Sequence, residues 1–172
     1  MEFINYIPQR IFIKSDNSCL FNAVASVCEP ENFHDNIQQE LRNLVANIII
    51  ANPEKYTTDF LEGRSPGDYT AFILDKNSWG GAIELDLLAH YYETEIGSFE
   101  IKTKRLDLFG GDCNYKKRAY VIYDGTHYDA LALSKHENDK FSNYIVNFST
   151  ENKENLQIIN MKFESMIDSY LI

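Results

Sequence analysis

The chain has 172 residues, 44% of them hydrophobic and 24% charged, with 26 acidic against 16 basic side chains and a formal charge of −10. That length suits one domain with a sizeable core, and the acidity argues against nucleic acid, whose phosphates call for clustered Lys and Arg. No apolar run reaches the roughly 18 to 20 residues of a bilayer span, and MEFINYIPQR has no basic segment followed by an apolar stretch, so neither a membrane partner nor a signal peptide is expected.

In chain order, Ile11 to Ile13 reads as a short strand running into a turn at Ser15, Asp16 and Asn17, all turn formers and helix caps. A helix follows from about Ser18 to Glu29, stopped by Pro30. Asn36 to Ala51 carries apolar residues at helical spacing, with Asn52-Pro53 as its stop. Shorter helices are predicted at Pro53 to Glu62 and Pro66 to Lys76, and another from Gly81 to Tyr92. The period then changes. Glu95 to Ile101, Leu106 to Phe109, Arg118 to Tyr123 and His127 to Leu133 read as strands, with turns at Gly110 to Asp112 and Asp124 to Thr126. Asn138 to Glu154 is polar and interrupted, and Asn155 to Leu171 reads as a last helix. Helices first and strands second predict an α+β fold with a mostly antiparallel sheet packed against helices.

The three cysteines, Cys19, Cys28 and Cys113, form no CxxC pair and are odd in number. A disulfide framework or zinc site is not expected, and a reducing compartment is the default. On the helix from Ser18, with Cys19 at zero, Leu20, Phe21, Val24, Val27 and Cys28 fall between roughly 80° and 200°, which is the buried stripe. Cys28 is thus the structural cysteine, and Cys19 faces elsewhere, beside Asn22 and Ser26. In the first helical turn, Cys19 meets unpaired N–H groups and the positive dipole end, which favour a thiolate nucleophile. The same N–H groups, with the turn at Asp16, Asn17 and Ser18, are placed to stabilise an oxyanion. An exposed or capping cysteine of no consequence fits this helix equally well.

Of four histidines, His127 has the best surroundings. It opens the strand His127-Tyr128-Asp129, where residues i and i+2 share a face. Asp129 can therefore orient one ring nitrogen while the other takes a proton from Cys19, a nucleophile–base–orienter set. His90 reads as a satisfied, partly buried residue, His34 as part of a loop or helix start, and His136 as a surface residue. Asp75 to Asp86 begins like a calcium loop, but Trp79 stands where the third oxygen ligand belongs. Nor is there a GxSxG, HExxH or GxxxxGK[ST] motif.

Three segments together resemble the OTU (ovarian tumour) family of cysteine proteases. Asp16-Asn17-Ser18-Cys19-Leu20-Phe21 resembles its cysteine box, Trp79-Gly80-Gly81-Ala82-Ile83-Glu84-Leu85 its helix start, and Tyr123-Asp124-Gly125-Thr126-His127-Tyr128-Asp129 its histidine box. They stand in the family's order. KNSWGGAIEL, LDLFG and KKRAYVIYDGTHYDAL are similar to the branch that works alongside a segregase ATPase. The expectation is a catalytic domain alone, without that branch's N-terminal ubiquitin-like region or C-terminal zinc finger, so recruitment to the segregase is not implied.

The resemblance implies a papain-like fold, with the catalytic domain over residues 1–150 and a helical extension over 151–172. It implies a deubiquitinase that cuts isopeptide bonds at the C-terminal glycine of ubiquitin through an acyl-enzyme thioester. No metal or nucleotide cofactor is implied. Cys19 would be the nucleophile, His127 the general base, Asp129 its orienter, and Asp16 the acid of the cysteine loop, the two acid roles being exchangeable. Asn17, Ser18, Trp79, Gly80, Gly81 and Tyr128 would contact the substrate, whose Gly-Gly tail suits a slot too narrow for larger residues. The expected partners are ubiquitin and polyubiquitin chains, with the less common linkages favoured. The working form would be a monomer in the cytoplasm, or in host cytosol if an intracellular pathogen makes it. Two other readings remain: a cysteine hydrolase for a ubiquitin-like modifier, and an inactive ubiquitin-binding module.

Overall fold

The computed structural model describes residues 1–171. Five α-helices and six strands follow one another along it: β1 (Ile7–Ile11), α1 (Cys19–Cys28), α2 (Ile37–Ala51), α3 (Pro66–Leu74), α4 (Ala82–Tyr91), β2 (Glu95–Glu100), β3 (Leu106–Phe109), β4 (Lys117–Tyr123), β5 (Tyr128–Ser134), β6 (Phe148–Ser149) and α5 (Lys153–Ser169). The sheet runs β1-β5-β4-β2-β3, with β6 also paired to β4. Every pairing is antiparallel except β2 with β4. The expected α+β architecture is present, with helices on both faces of a mostly antiparallel sheet.

Strand alternation decides what packs on each face. Ala119, Val121, Ala130 and Ala132 join α1, α2 and α4 in one core, through Phe21, Val24, Val45 and Leu88 among others. Three alanines there let α1 lie close on the sheet, and this close fit is what brings the helix start up to β5. The alternate residues Tyr120, Ile122, Leu131 and Leu133 face the other way, where Leu156, Ile159, Phe163 and Ile167 of α5 cover them. Gly97 on β2 pairs with Tyr120, and a Cβ at Gly97 would lie 2.8 Å from that ring. Only glycine lets the ring sit there.

The structure corrects two expected elements. The first strand is Ile7–Ile11 and not Ile11 to Ile13. Its ladder with β5 ends at Ile11↔Ala130, and the Ile13 N–H goes instead to the Asp129 carboxylate. Residues 53–62 form successive turns, not a helix. Tyr56 and Leu61 are drawn into the core, and Glu62 and Gly63 both have positive φ, which ends any helical run. The expected 151–172 extension contains α5, capped at Asn152 by the Asn155 N–H. Ile172 lies outside the described residues.

Phe163 is fully buried against Phe99, Tyr120 and Phe148. Phe163→Ala is therefore expected to cost about 3 to 5 kcal/mol, read as a lowered urea midpoint. A loss under about 1 kcal/mol would mean that α5 is not part of the cooperative core.

Candidate active site

The histidine is set by a turn. Gly125 has φ +107, a conformation that glycine adopts without cost. Asp124 Oδ1 accepts the N–H groups of Thr126 (2.8 Å) and His127 (2.7 Å). Burial alone would raise the Asp124 carboxyl, but these bonds outweigh it and hold the group below its ordinary value. The chain then enters β5, and His127 Nε2 lies 2.8 Å from Asp129 Oδ1. A carboxylate only accepts, so the proton of the neutral ring belongs on Nε2, which leaves Nδ1 as the free base.

Asp129 is itself held firmly. At 2% exposure it also accepts the Ile13 N–H on Oδ1 (2.6 Å) and Arg10 Nε–H on Oδ2 (2.8 Å). Arg10 was not among the residues expected from the sequence. The β1–β5 register sets it opposite Leu131, diagonal to Asp129, and no pattern within either strand announces that pairing.

Cys19 opens α1 as expected, and the Tyr128 N–H points at its Sγ from 3.4 Å. The residue after His127 thus touches the nucleophile candidate directly. Two expectations fail, however. Cys19 is only 8% exposed, and α1 is buried on nearly all sides, with Asn22 and Cys28 alone partly open. The polar arc read from the helical wheel is largely covered, and Ser26, 3% exposed, satisfies its hydroxyl on the Ala23 carbonyl. Burial also pushes the Cys19 thiol above its ordinary 9.0, with Asp16 adding to the rise. The N–H groups of Tyr128 and Leu20 pull it down, but not far enough. The resting group is a thiol in need of a base.

The remaining expected residues divide. Asp16 Oδ1 accepts the Ser18 N–H (2.8 Å), so this carboxylate shapes the cysteine loop, while Asp129 contacts the imidazole. The same bond removes the Ser18 N–H as an oxyanion donor. Ser18 is buried, and its hydroxyl accepts from Arg42 Nη2 (3.0 Å), so it turns away from any substrate. Asn17 Oδ1 accepts the Trp79 indole N–H (2.7 Å), which ties the two expected contact segments together. Tyr128 contributes its backbone, while its ring stacks on Tyr123 at 4.5 Å. A Cβ on Gly80 would meet Leu20 and Phe21 at 3.3 Å, whereas one on Gly81 would meet nothing within 4 Å. Gly80 therefore serves packing, and Gly81 borders open space. Glu84 reaches back to the Gly81 N–H (2.7 Å) and accepts the Tyr69 hydroxyl, fixing that bend.

A second cysteine–histidine pair occurs elsewhere. Cys113 Sγ lies 3.8 Å from His90 Nδ1, but that nitrogen is already hydrogen-bonded to the Tyr115 hydroxyl at 2.8 Å. Cys19, by contrast, is met by the backbone of the residue that follows His127, and the buried Asp129 carboxylate orients that histidine's ring.

Residues 14–138 match the family described as OTU-like cysteine protease, which covers well over half of the chain. The chain belongs to the OTU family. A relative in Arabidopsis thaliana, named OVARIAN TUMOR DOMAIN-containing deubiquitinating enzyme 2, is 49% identical over 128 residues, 74% of this chain and 60% of its own length. A Dictyostelium discoideum relative, Ubiquitin thioesterase OTU1, is 39% identical over 151 residues, 88% of this chain and 45% of its own. The chain thus spans about half the length of the curated relatives it matches. In fold it is similar to an OTU domain solved in complex with ubiquitin, with TM-score 0.78 and 23% identity over 93% of this chain and 84% of the other. In this OTU chain the three family boxes come from α1, the α4 start and β5, elements distant in sequence that the sheet and α1 bring side by side.

The raised Cys19 thiol sets a pH test. A group raised by burial stays protonated until the pH exceeds its ordinary value, so without a base it is inert near neutrality. In His127→Ala, iodoacetamide labelling of Cys19 at pH 7.5 should fall by about tenfold or more and recover only as the pH climbs past about 9. Equal labelling rates in both proteins at pH 7.5 would remove His127 from the role of base.

Proposed function

We propose that this chain is a deubiquitinase, hydrolysing isopeptide bonds at the C-terminal glycine of ubiquitin. The carrying observation is the juxtaposition on β5: the Tyr128 N–H on Cys19 Sγ, beside a His127 whose Nε2 is fixed by Asp129. The relatives' names, deubiquitinating enzyme and ubiquitin thioesterase, and the ubiquitin complex of the structural neighbour support the choice of substrate.

In this reading Cys19 Sγ attacks the glycine carbonyl carbon while His127 Nδ1 takes the thiol proton. The Cys19 N–H at the helix start stabilises the oxyanion. The C–N bond breaks, His127 protonates the departing lysine amine, and a Cys19 thioester remains. Water then attacks that thioester, His127 takes its proton and returns it to sulfur, and the ubiquitin carboxylate leaves. Asp129 keeps the ring oriented and stabilises the imidazolium, as in other triads. Asp16 holds the cysteine loop. Trp79 and Gly81 border the path of the substrate tail, with Gly81 leaving it open. Polyubiquitin is the natural substrate in this account, cut by a monomer, and the loops flanking the tail path set linkage preference.

Ubiquitin carrying a C-terminal thiol-reactive warhead tests this directly. One ubiquitin mass should add to the chain and be lost in Cys19→Ala; no adduct in a folded sample would reject ubiquitin as substrate. Gly81→Ala, whose methyl meets no neighbour, should raise KM for a ubiquitin C-terminal amide by about tenfold, at a stability cost of only about 1 kcal/mol for changing the N-cap of α4. A KM equal to that of the unaltered chain would move the tail path away from Gly81.

A further inference from the structure

Arg42, on α2, is fully buried and has the bulkiest of the fully buried side chains. No carboxylate pairs with it among the described residues; backbone carbonyls and one hydroxyl take its donors instead. Burial disfavours the charge and outweighs the field of the Glu84, Asp16 and Asp75 carboxylates, which lie nearby without touching the guanidinium, whereas an apolar side chain of similar volume would fill the site without that cost. What the cation gains is connection. Its Nη2 reaches the carbonyl of Asn17 (3.0 Å), the hydroxyl of Ser18 (3.0 Å) and the carbonyl of Ser78 (2.7 Å). Its Nη1 reaches the carbonyls of Ile73 (2.8 Å) and Asp75 (3.1 Å), at the C-terminal end of α3. The plane lies over the Phe21 ring, 4.6 Å from its centre.

One planar group therefore joins the loop that ends in Cys19 to the residue before Trp79-Gly80-Gly81. The Trp79–Asn17 hydrogen bond forms a second rung between the same two loops, nearer the surface. Close packing of Gly80 on Leu20 and Phe21 forms a third contact. Lysine could not make the fork, because its donors radiate from one point.

We propose that Arg42 is a positioning residue for the substrate tail: it fixes the spacing between the nucleophile loop and the Trp79–Gly81 segment, so that a tail lying along that segment delivers its terminal carbonyl to Cys19. This rests on the deubiquitinase reading above. Arg42 touches no reacting atom, so its loss should disturb how substrate is held more than how Cys19 reacts.

The experiment compares the full chain with Arg42→Lys, using a fluorogenic ubiquitin C-terminal amide and, separately, iodoacetamide labelling of Cys19 across pH. The expected result is a KM raised about tenfold or more, with the pH profile of Cys19 labelling within about threefold of the unaltered chain. A purely structural role would instead lower both readouts together with the unfolding midpoint. If Arg42→Lys does not fold, Ser18→Ala removes the hydroxyl that takes two of the guanidinium's bonds, and the same split between KM and labelling is expected. Unchanged KM in a folded Arg42→Lys or Ser18→Ala overturns the proposal while leaving the deubiquitinase reading intact. An unaltered chain that labels at Cys19 but never turns over the ubiquitin amide overturns that reading, and this one with it.

Discussion

The arrangement around Cys19 depends on one buried carboxylate. Three donors from different parts of the chain converge on Asp129: the Arg10 guanidinium and the Ile13 N–H from the N-terminal segment, and His127 Nε2 from the turn just before its strand. A carboxylate with so little exposure is tolerated only when its lone pairs are filled, so the same bonds that satisfy it also lock the imidazole. They also explain where β1 ends. The ladder stops at Ile11 because the next inward N–H is needed by Asp129, and the chain is then released toward the cysteine loop. Sheet edge, histidine orientation and the path to Cys19 are thus set by a single group.

The second constraint is the burial of α1. A helix with small and apolar residues all round lies against alanines of β4 and β5, close enough for a strand N–H to meet the Cys19 sulfur. That closeness has an electrostatic consequence. Burial and Asp16 favour the neutral thiol, against the pull of the helix start and of Tyr128. The resting group is therefore a thiol and not a free thiolate, which is why the proposed mechanism gives it a base.

The sequence disclosed the parts that rest on local pattern. The helices at α1, α2 and α4, the last four long strands and the His127–Asp129 pair follow from periodicity, turn residues and the two-residue repeat of a strand. It concealed what depends on pairing across the chain. Arg10 and Arg42 read as ordinary basic residues until β1 lies beside β5 and α2 lies behind the cysteine loop. The resemblance implies Ser18 as a substrate contact, yet Arg42 draws its hydroxyl inward. The helical wheel misplaces Cys19 for a related reason, since a helix enclosed by a sheet and a second helix buries most of its polar arc as well. The turns at 53–62 were misread because two core anchors, Tyr56 and Leu61, override a weakly helical stretch.

The most direct test of the account is the protonation state of the His127 ring in the free protein, read by long-range proton–nitrogen NMR correlation at a pH where the imidazole is neutral. The geometry predicts a proton on Nε2, donated to Asp129, with Nδ1 bare and available to Cys19, and it predicts that Asp129→Asn disturbs this tautomer. A ring protonated on Nδ1 in the unaltered protein would mean that Asp129 does not orient the base, and the assignment of Cys19, His127 and Asp129 as one catalytic unit would fall.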